Sequence, residues 1–239
     1  MTHWLDRSEL LIGKKGLEKL KRSHVLVVGV GGVGAYAAEH LCRSGIGEMT
    51  IVDADCVEDT NRNRQLLALT STIGQPKTQV LAQRLSDINP DLKIHTIQEF
   101  LRDERTPEVL SLYHYDYVVD AIDSLSPKVF LLYHAVQMGL KVVSVMGAGG
   151  KTDPAQIRVA DIKKTYQCKL AHAIRKRLHK MGISEGFLAV FSPEEVPDHA
   201  IRIEVGENKL STVGTVSYMP ALFGAWAASV VIRELGVRN

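Results

Sequence analysis

His24-Val-Leu-Val-Val-Gly-Val-Gly-Gly-Val-Gly34 is the stretch on which the fold turns. An unbroken aliphatic run with a polar residue before it and glycines after it marks a strand buried on both faces of a parallel sheet. The glycines fall at Gly29, Gly31, Gly32 and Gly34, which satisfies the pattern G-x-G-x-x-G. Between a strand and a helix, that spacing permits a tight turn and lets backbone N–H groups approach phosphates at the helix N-terminus. A helix over residues 33–43 is expected to open on such a site. Asp53 follows Gly34 by nineteen residues, at the end of the next strand, where a carboxylate is placed for ribose hydroxyls. The glycine spacing does not by itself choose between NAD and ATP.

Outward from this unit the periodicity keeps alternating. Strands are expected over residues 48–53, 93–97, 115–122 and 141–146, and helices over 77–88, 107–113 and 127–138. This is the pattern of a doubly wound, Rossmann-like α/β fold: a mainly parallel sheet with helices on both faces. After Gly147-Ala-Gly-Gly150 the pattern becomes a mixed C-terminal extension, with strands at 156–162 and 187–191 around a basic helix at 168–180. The reading is of one domain over residues 1–239. Residues 1–22 form an N-terminal helical arm, broken near Gly13 and Gly16. The polar segment 192–212, with Pro193, Glu194, Glu195, Pro197 and Asp198, reads as a mobile surface loop. Residues 213–235 read as a buried C-terminal helix.

With 45% hydrophobic and 23% charged residues, the chain has a soluble globular composition, which excludes collagen-like, coiled-coil and disordered classes. Cys42, Cys56 and Cys168 form no CxxC pair and are odd in number, so a reducing, cytoplasmic setting is expected. The start, MTHWLDRSELL, lacks the basic end and apolar run of a secretory signal. Val213 to Ile232 is uncharged over a bilayer's width, yet Gly214, Ser217, Pro220, Gly224 and Ser229 dilute it. A buried core or subunit-interface helix is the expectation there, and no stable membrane span.

The residues beyond Asp53 favour a triphosphate. Attack at an α-phosphorus needs cations around it and a magnesium ion, and Arg64 and Lys77 can supply the cations. Asp123, just past the end of a strand beside the glycine loop, can hold the metal through one carboxylate.

Glycine loop, Asp53-x-Asp55, Asn61-x-x-Arg64-Gln65, Gly74-x-Pro76-Lys77 and the later Asp123 occur in an order that resembles the ubiquitin-activating-enzyme-like (ThiF/MoeB/HesA) adenylating family. The resemblance implies that Asp53 binds the ribose, that Asn61, Arg64 and Lys77 grip the phosphates and that Asp123 holds Mg2+. It places Gly29, Gly31, Gly32, Gly34, Asp55, Asn63, Gln65 and Ser124 with them around ATP. An N-terminal arginine of the family reaches the neighbouring subunit's triphosphate, and Arg7 resembles it, which implies a homodimer. The apolar C-terminal helix is then expected in the dimer core, with Gly224 and Ala228 allowing close helix approach.

Within the family, Thr60-Asn-Arg-Asn-Arg-Gln65, Val119-Asp-Ala-Ile-Asp-Ser124, Met146-Gly-Ala-Gly-Gly-Lys-Thr-Asp-Pro154 and Asp161-Ile-Lys-Lys-Thr165 are similar to the tRNA threonylcarbamoyladenosine dehydratases. That branch uses ATP to cyclise a threonylcarbamoyl side chain on the adenosine next to the anticodon, so the implied partner is tRNA carrying threonylcarbamoyladenosine. The residues do not choose between AMP and ADP as the product, and the wider family implies AMP. Cys168-Lys169-Leu170 departs from the branch, which has a Pro after the first residue. The alternative is activation of a ubiquitin-like sulfur-carrier protein, but its two zinc-binding CxxC pairs are absent here. A dehydrogenase leaves Asn61 to Gln65 and Lys77 without a task, and a non-catalytic relative would have lost Arg7 or Asp123. For tRNA phosphates, Lys163, Lys164, Lys169, Arg175, Lys176, Arg177, His179 and Lys180 form a basic cluster, to which Lys14, Lys15, Lys19, Lys21 and Arg22 can add. Tyr166, Phe187 and Tyr218 are candidate contacts to a splayed base.

Overall fold

The computed structural model describes residues 3–203 and 211–237. Strands β1 (His24–Val28), β2 (Glu48–Val52), β3 (Lys93–Ile97), β4 (Tyr117–Asp120), β5 (Val142–Val145), β6 (Arg158–Asp161) and β7 (Leu188–Phe191) form one sheet. Its order is β3-β2-β1-β4-β5-β7-β6. All neighbours pair in parallel except β6 with β7, where Val159 stands opposite Val190. The chain leaves β1 toward β2 on one side and later returns on the other side as β4. This reversal opens a crevice beyond the carboxyl ends of β1 and β4, where open α/β sheets bind ligands.

Helices cover both faces. They are α1 (Asp6–Arg22), α2 (Gly34–Arg43), α3 (Lys77–Ile88), α4 (Arg105–Ser111), α5 (Leu125–Gln137), α6 (Lys169–Lys180) and α7 (Tyr218–Ile232). One core lies under α2, α3 and α7, around Leu41, Met49, Leu81 and Phe223. The other lies under α4, α5 and α6, around Leu26, Val129, Leu132 and Ile174. Central strands β1, β4 and β5 are buried along their whole length, which is why they read as continuous aliphatic runs.

The elements expected from sequence fall within two residues of those observed through β7. Three details differ. The arm kinks once, at Gly13 (φ 78, ψ 158), while Gly16 stays helical and is buried against Gly236. Residues 204–210 of the expected loop 192–212 lie outside the described residues; on either side of them β8 (Ile201–Ile203) and β9 (Ser211–Val213) pair antiparallel. The C-terminal helix starts at Tyr218 rather than 213. Gly214 is held extended, donating to Ala200 O at 2.7 Å and accepting from Gly150 N at 2.8 Å. Beyond Ile232, residues Arg233–Val237 continue as a π turn.

By length and composition, Tyr218–Val237 is apolar enough to cross a membrane. In the fold its small-residue face is occupied within the chain, which corrects the assignment of Gly224 and Ala228 to a dimer core. A Cβ on Gly224 would stand 2.4 Å from Val33 O and 3.0 Å from Ala37 N of α2. Gly224→Ala is therefore expected to destabilise by about 1–3 kcal/mol through overpacking. Urea denaturation checks this, and an unchanged midpoint would show that α2 and α7 do not approach so closely.

Candidate functional site

The crevice is built from the carboxyl ends of four neighbouring strands. After β1, the glycine loop leads into α2. Gly34 has no substitute there, since a Cβ would sit 1.8 Å from Gly29 O. The N–H groups of Gly31 and Gly32 donate to no backbone carbonyl among the described residues. They stand just before the first turn of α2, where an anion is stabilised by exposed N–H groups and the helix dipole. Gln65 lies over Gly31, and its buried Oε1 has no hydrogen-bond partner among the described residues. The unclaimed N–H donors suit a polyphosphate, whereas the Gln65 amide oxygen, an acceptor, calls for a donor such as a hydroxyl.

Asp53 ends β2 and accepts from Val30 N at 2.7 Å and from Asp55 N at 2.9 Å. Burial pushes its carboxyl above the usual range, against the pull of Lys77 and these two N–H groups. It thus locks the glycine loop to β2 while half-buried at the crevice. Lys77, 5% exposed at the start of α3, donates to Asp55 Oδ2 at 2.7 Å, so a phosphate must compete with that carboxylate. Arg64 Nη1 donates to Thr60 O at 3.0 Å and to Asn63 Oδ1 at 2.8 Å. Asn61 is buried and caps its own turn by accepting from Glu58 N at 3.1 Å.

Asp123 is exposed beyond β4, and Ser124 beside it is buried. Beneath them lies a pair that sequence reading missed. Lys128 and Asp120, both fully buried, are 2.8 Å apart. Lys128 Nζ also donates to Ile122 O at 2.9 Å, and Asp120 accepts from Ile122 N at 3.1 Å and from Ser144 Oγ at 2.6 Å. The two charges fasten the turn that carries Asp123 from both sides.

On the far side of the switch point, the Gly147–Lys151 stretch follows β5. Gly149 packs on Val213 and Thr215, whose O accepts from Asn63 Nδ2 at 3.1 Å. Tyr218 OH donates to Thr152 O at 2.8 Å. Glu194, which accepts from the N–H groups of Thr152 and Asp153, braces the same turn. Burial favours a raised pKa for this carboxyl, but those bonds outweigh it and hold it below the usual range. Lys151 is 5% exposed here, and burial lowers its ammonium below the lysine range despite nearby Cys168, Glu194 and Glu195. Only tertiary structure makes Lys77 and Lys151 two buried cations flanking the switch point. Cys168 is itself buried at the start of α6 and packs in the core.

The motifs from Gly29 to Asp123 thus converge with Gly147 to Lys151 at one end of the sheet, while Arg7 does not join them. Leu5 packs against Gly45, beyond the carboxyl end of α2, whereas the cradle sits at the amino end of that helix. About 15 Å of helix separates the two ends. A groove of roughly 980 Å³ also escaped the sequence reading; it lies between residues 99–105 after β3 and Ser126, Pro127 and Phe130 of α5. Its only sequence signal was the weak patterning between β3 and α4.

The ThiF family model matches residues 5–237. The chain belongs to the ThiF family. It has curated relatives over nearly its full length. A tRNA threonylcarbamoyladenosine dehydratase of Bacillus subtilis (strain 168) is 44% identical over 99% of this chain and 92% of its own. One from Haemophilus influenzae is 37% identical over 92% and 88%. A crystal structure of E. coli tRNA N6-threonylcarbamoyladenosine dehydratase in complex with ATP superposes with a TM-score of 0.88 at 35% identity, covering 96% of this chain and 92% of that one. By contrast, a sulfur carrier protein adenylyltransferase of Thermus thermophilus matches 55% of this chain.

Proposed function

We propose that this ThiF-family chain is an ATP-dependent dehydratase that cyclises the threonylcarbamoyl side chain of an adenosine next to the tRNA anticodon. The observation that carries the reading is the meeting of the nucleotide cradle with the Asn61–Gln65 and Gly147–Lys151 stretches around one switch point, in a chain 44% identical over 99% of its length to a dehydratase. An activator of sulfur-carrier proteins is supported by relatives that cover 55% and 65% of the chain.

The substrate's threonyl carboxylate cannot expel hydroxide at neutral pH. It therefore attacks the α-phosphorus of ATP, pyrophosphate leaves, and an acyl adenylate results. The adjacent carbamoyl group then closes a five-membered ring on the acyl carbon and AMP departs. Because both reacting groups belong to one side chain, proximity supplies much of the rate without a protein nucleophile. Asp53 holds the ribose, and the N–H groups of Gly31 and Gly32 hold phosphate oxygens. Lys77, released from Asp55, and Arg64 balance charge on the phosphates as it moves toward the leaving group. Asp123 would hold Mg2+, which when bound neutralises phosphate charge.

The tRNA backbone would lie on α6, whose Lys169, Lys176, Arg177, His179 and Lys180 are exposed. Arg175 is committed to Thr165, and Lys163 to Glu185, so neither belongs to that face, and Arg177 would have to leave Ser126 to join it. A homodimer is supported by the outward stripe of α7, where Tyr218 and Trp226 are exposed and Leu222, Ala225 and Ser229 half-exposed. Three free thiols and a tRNA substrate fit a cytoplasmic setting.

Incubation with ATP, magnesium and tRNA bearing threonylcarbamoyladenosine, followed by digestion and nucleoside mass measurement, tests the reaction. The expected result is loss of one water from the modified nucleoside, dependent on ATP and abolished in Asp123→Ala. An unchanged nucleoside with ATP still bound would sink the substrate assignment and move weight to carrier-protein activation.

A further inference from the structure

At the end of the sheet away from the nucleotide cradle, two imidazoles and a carboxylate converge. His24 opens β1, Glu48 opens β2 opposite it, and His95 lies in β3 opposite Thr50. The parallel ladder thus places all three on one face, His24 and Glu48 at the amino ends of their strands and His95 in the middle of β3. Their ligand atoms lie within 4.8 Å of one another. His95 Nε2 is 2.8 Å and His24 Nδ1 3.7 Å from Glu48 Oε1. Donors on a tetrahedral zinc centre stand about 3.3 Å apart, given bonds of about 2.0–2.1 Å.

The second nitrogen of each ring faces a hydroxyl. His24 Nε2 is 2.8 Å from Thr50 Oγ1, and His95 Nδ1 is 3.4 Å from Tyr113 OH. A hydroxyl can serve either tautomer, so these contacts hold the rings in place as the outer partners of metal-bound histidines do; without an ion, His95 Nε2 donates to the Glu48 carboxylate, and a bound ion would displace that proton. Ring orientation is fixed by packing. His95 stacks on Tyr113 with centroids 4.6 Å apart, and His24 meets Tyr115 edge-on at 4.8 Å. The His24 backbone N–H is anchored on Asp116 at 2.8 Å. His24 is buried, whereas His95 and Glu48 keep about a quarter of their side-chain surface, so an ion and one water have an entrance.

We propose that His24, Glu48 and His95 form a binding site for a divalent transition-metal ion, Zn2+ first among them. Two imidazoles with one carboxylate select borderline cations over Mg2+ and Ca2+, which favour oxygen donors. The ion would cross-brace β1, β2 and the sheet-edge strand β3. It has no part in the reaction at the opposite end of the sheet, so this inference stands apart from the dehydratase reading. Lys93 Nζ, exposed and 3.4 Å from both Glu48 oxygens, is a cation set against it.

The test is titration of the chelator-treated full chain with Co2+, read by the visible bands of tetrahedral cobalt, then competition with Zn2+ and thermal unfolding with and without zinc. One equivalent should bind, and zinc should raise the unfolding midpoint by mass action. Glu48→Gln and His95→Asn, checked for fold by circular dichroism, should each weaken binding by about tenfold or more. Lys93→Ala should tighten it. Absence of tetrahedral bands, or binding that both variants leave unchanged, overturns the site and leaves a hydrogen-bonded cluster or adventitious zinc on exposed histidines.

Discussion

Lys128→Met is expected to lower the unfolding free energy by about 3–5 kcal/mol, the cost of leaving one member of a buried ion pair without the other. Both side chains are wholly removed from solvent, so water cannot replace the lost partner. The carboxylate would keep Ser144 Oγ and Ile122 N, but Ile122 O would lose its charged donor. Asp120→Asn added to Lys128→Met should recover a large part of the loss, because an amide needs no counter-charge and still accepts from Ile122 N. Urea unfolding of both variants at constant pH measures the difference. A loss below about 1 kcal/mol in the single variant would mean that the pair is not closed as described. Activity should fall further than stability explains, since the turn fastened by the pair carries Asp123.

That pair also shows where sequence reading stops. A lysine inside a helix reads as solvent-facing, and nothing in residues 127–138 reveals that its ammonium meets a strand end. The glycine loop was legible because its demand is local: the backbone of Gly29 leaves no room for a Cβ on Gly34. The strands were legible for a similar reason, since burial on both faces writes itself as aliphatic runs. His24, Glu48 and His95 were not, because only the register of β1, β2 and β3 aligns them. Gly224 announced a close approach without naming the partner, and the partner proved to be α2 rather than a second subunit. The 201–203 and 211–213 strands are too short, at three residues each, for their alternation to stand out in the sequence.

Arg7 carries the second large prediction. Arg7→Ala alone and Asp123→Ala alone should each be nearly inactive, yet mixing the two after dissociation and reassembly should restore roughly a quarter of wild-type activity in a two-fold symmetric dimer. Random pairing makes half of the dimers hybrid. In each hybrid, the protomer lacking its own Arg7 keeps Asp123 and receives Arg7 from its neighbour, which completes one site of two. The geometry motivates the test. Arg7 is exposed on the first turn of α1, two residues past a leucine packed beyond the carboxyl end of α2, while its own cradle lies at the amino end. An arginine acting within its own chain would give no recovery on mixing, because no hybrid would then contain a complete site. A monomer in solution gives the same negative result, and sedimentation separates the two cases. Trp226→Glu, on the outward stripe of α7, then supplies the converse: if that stripe is the dimer contact, the variant should remain folded, sediment as a monomer and lose turnover as Arg7→Ala does.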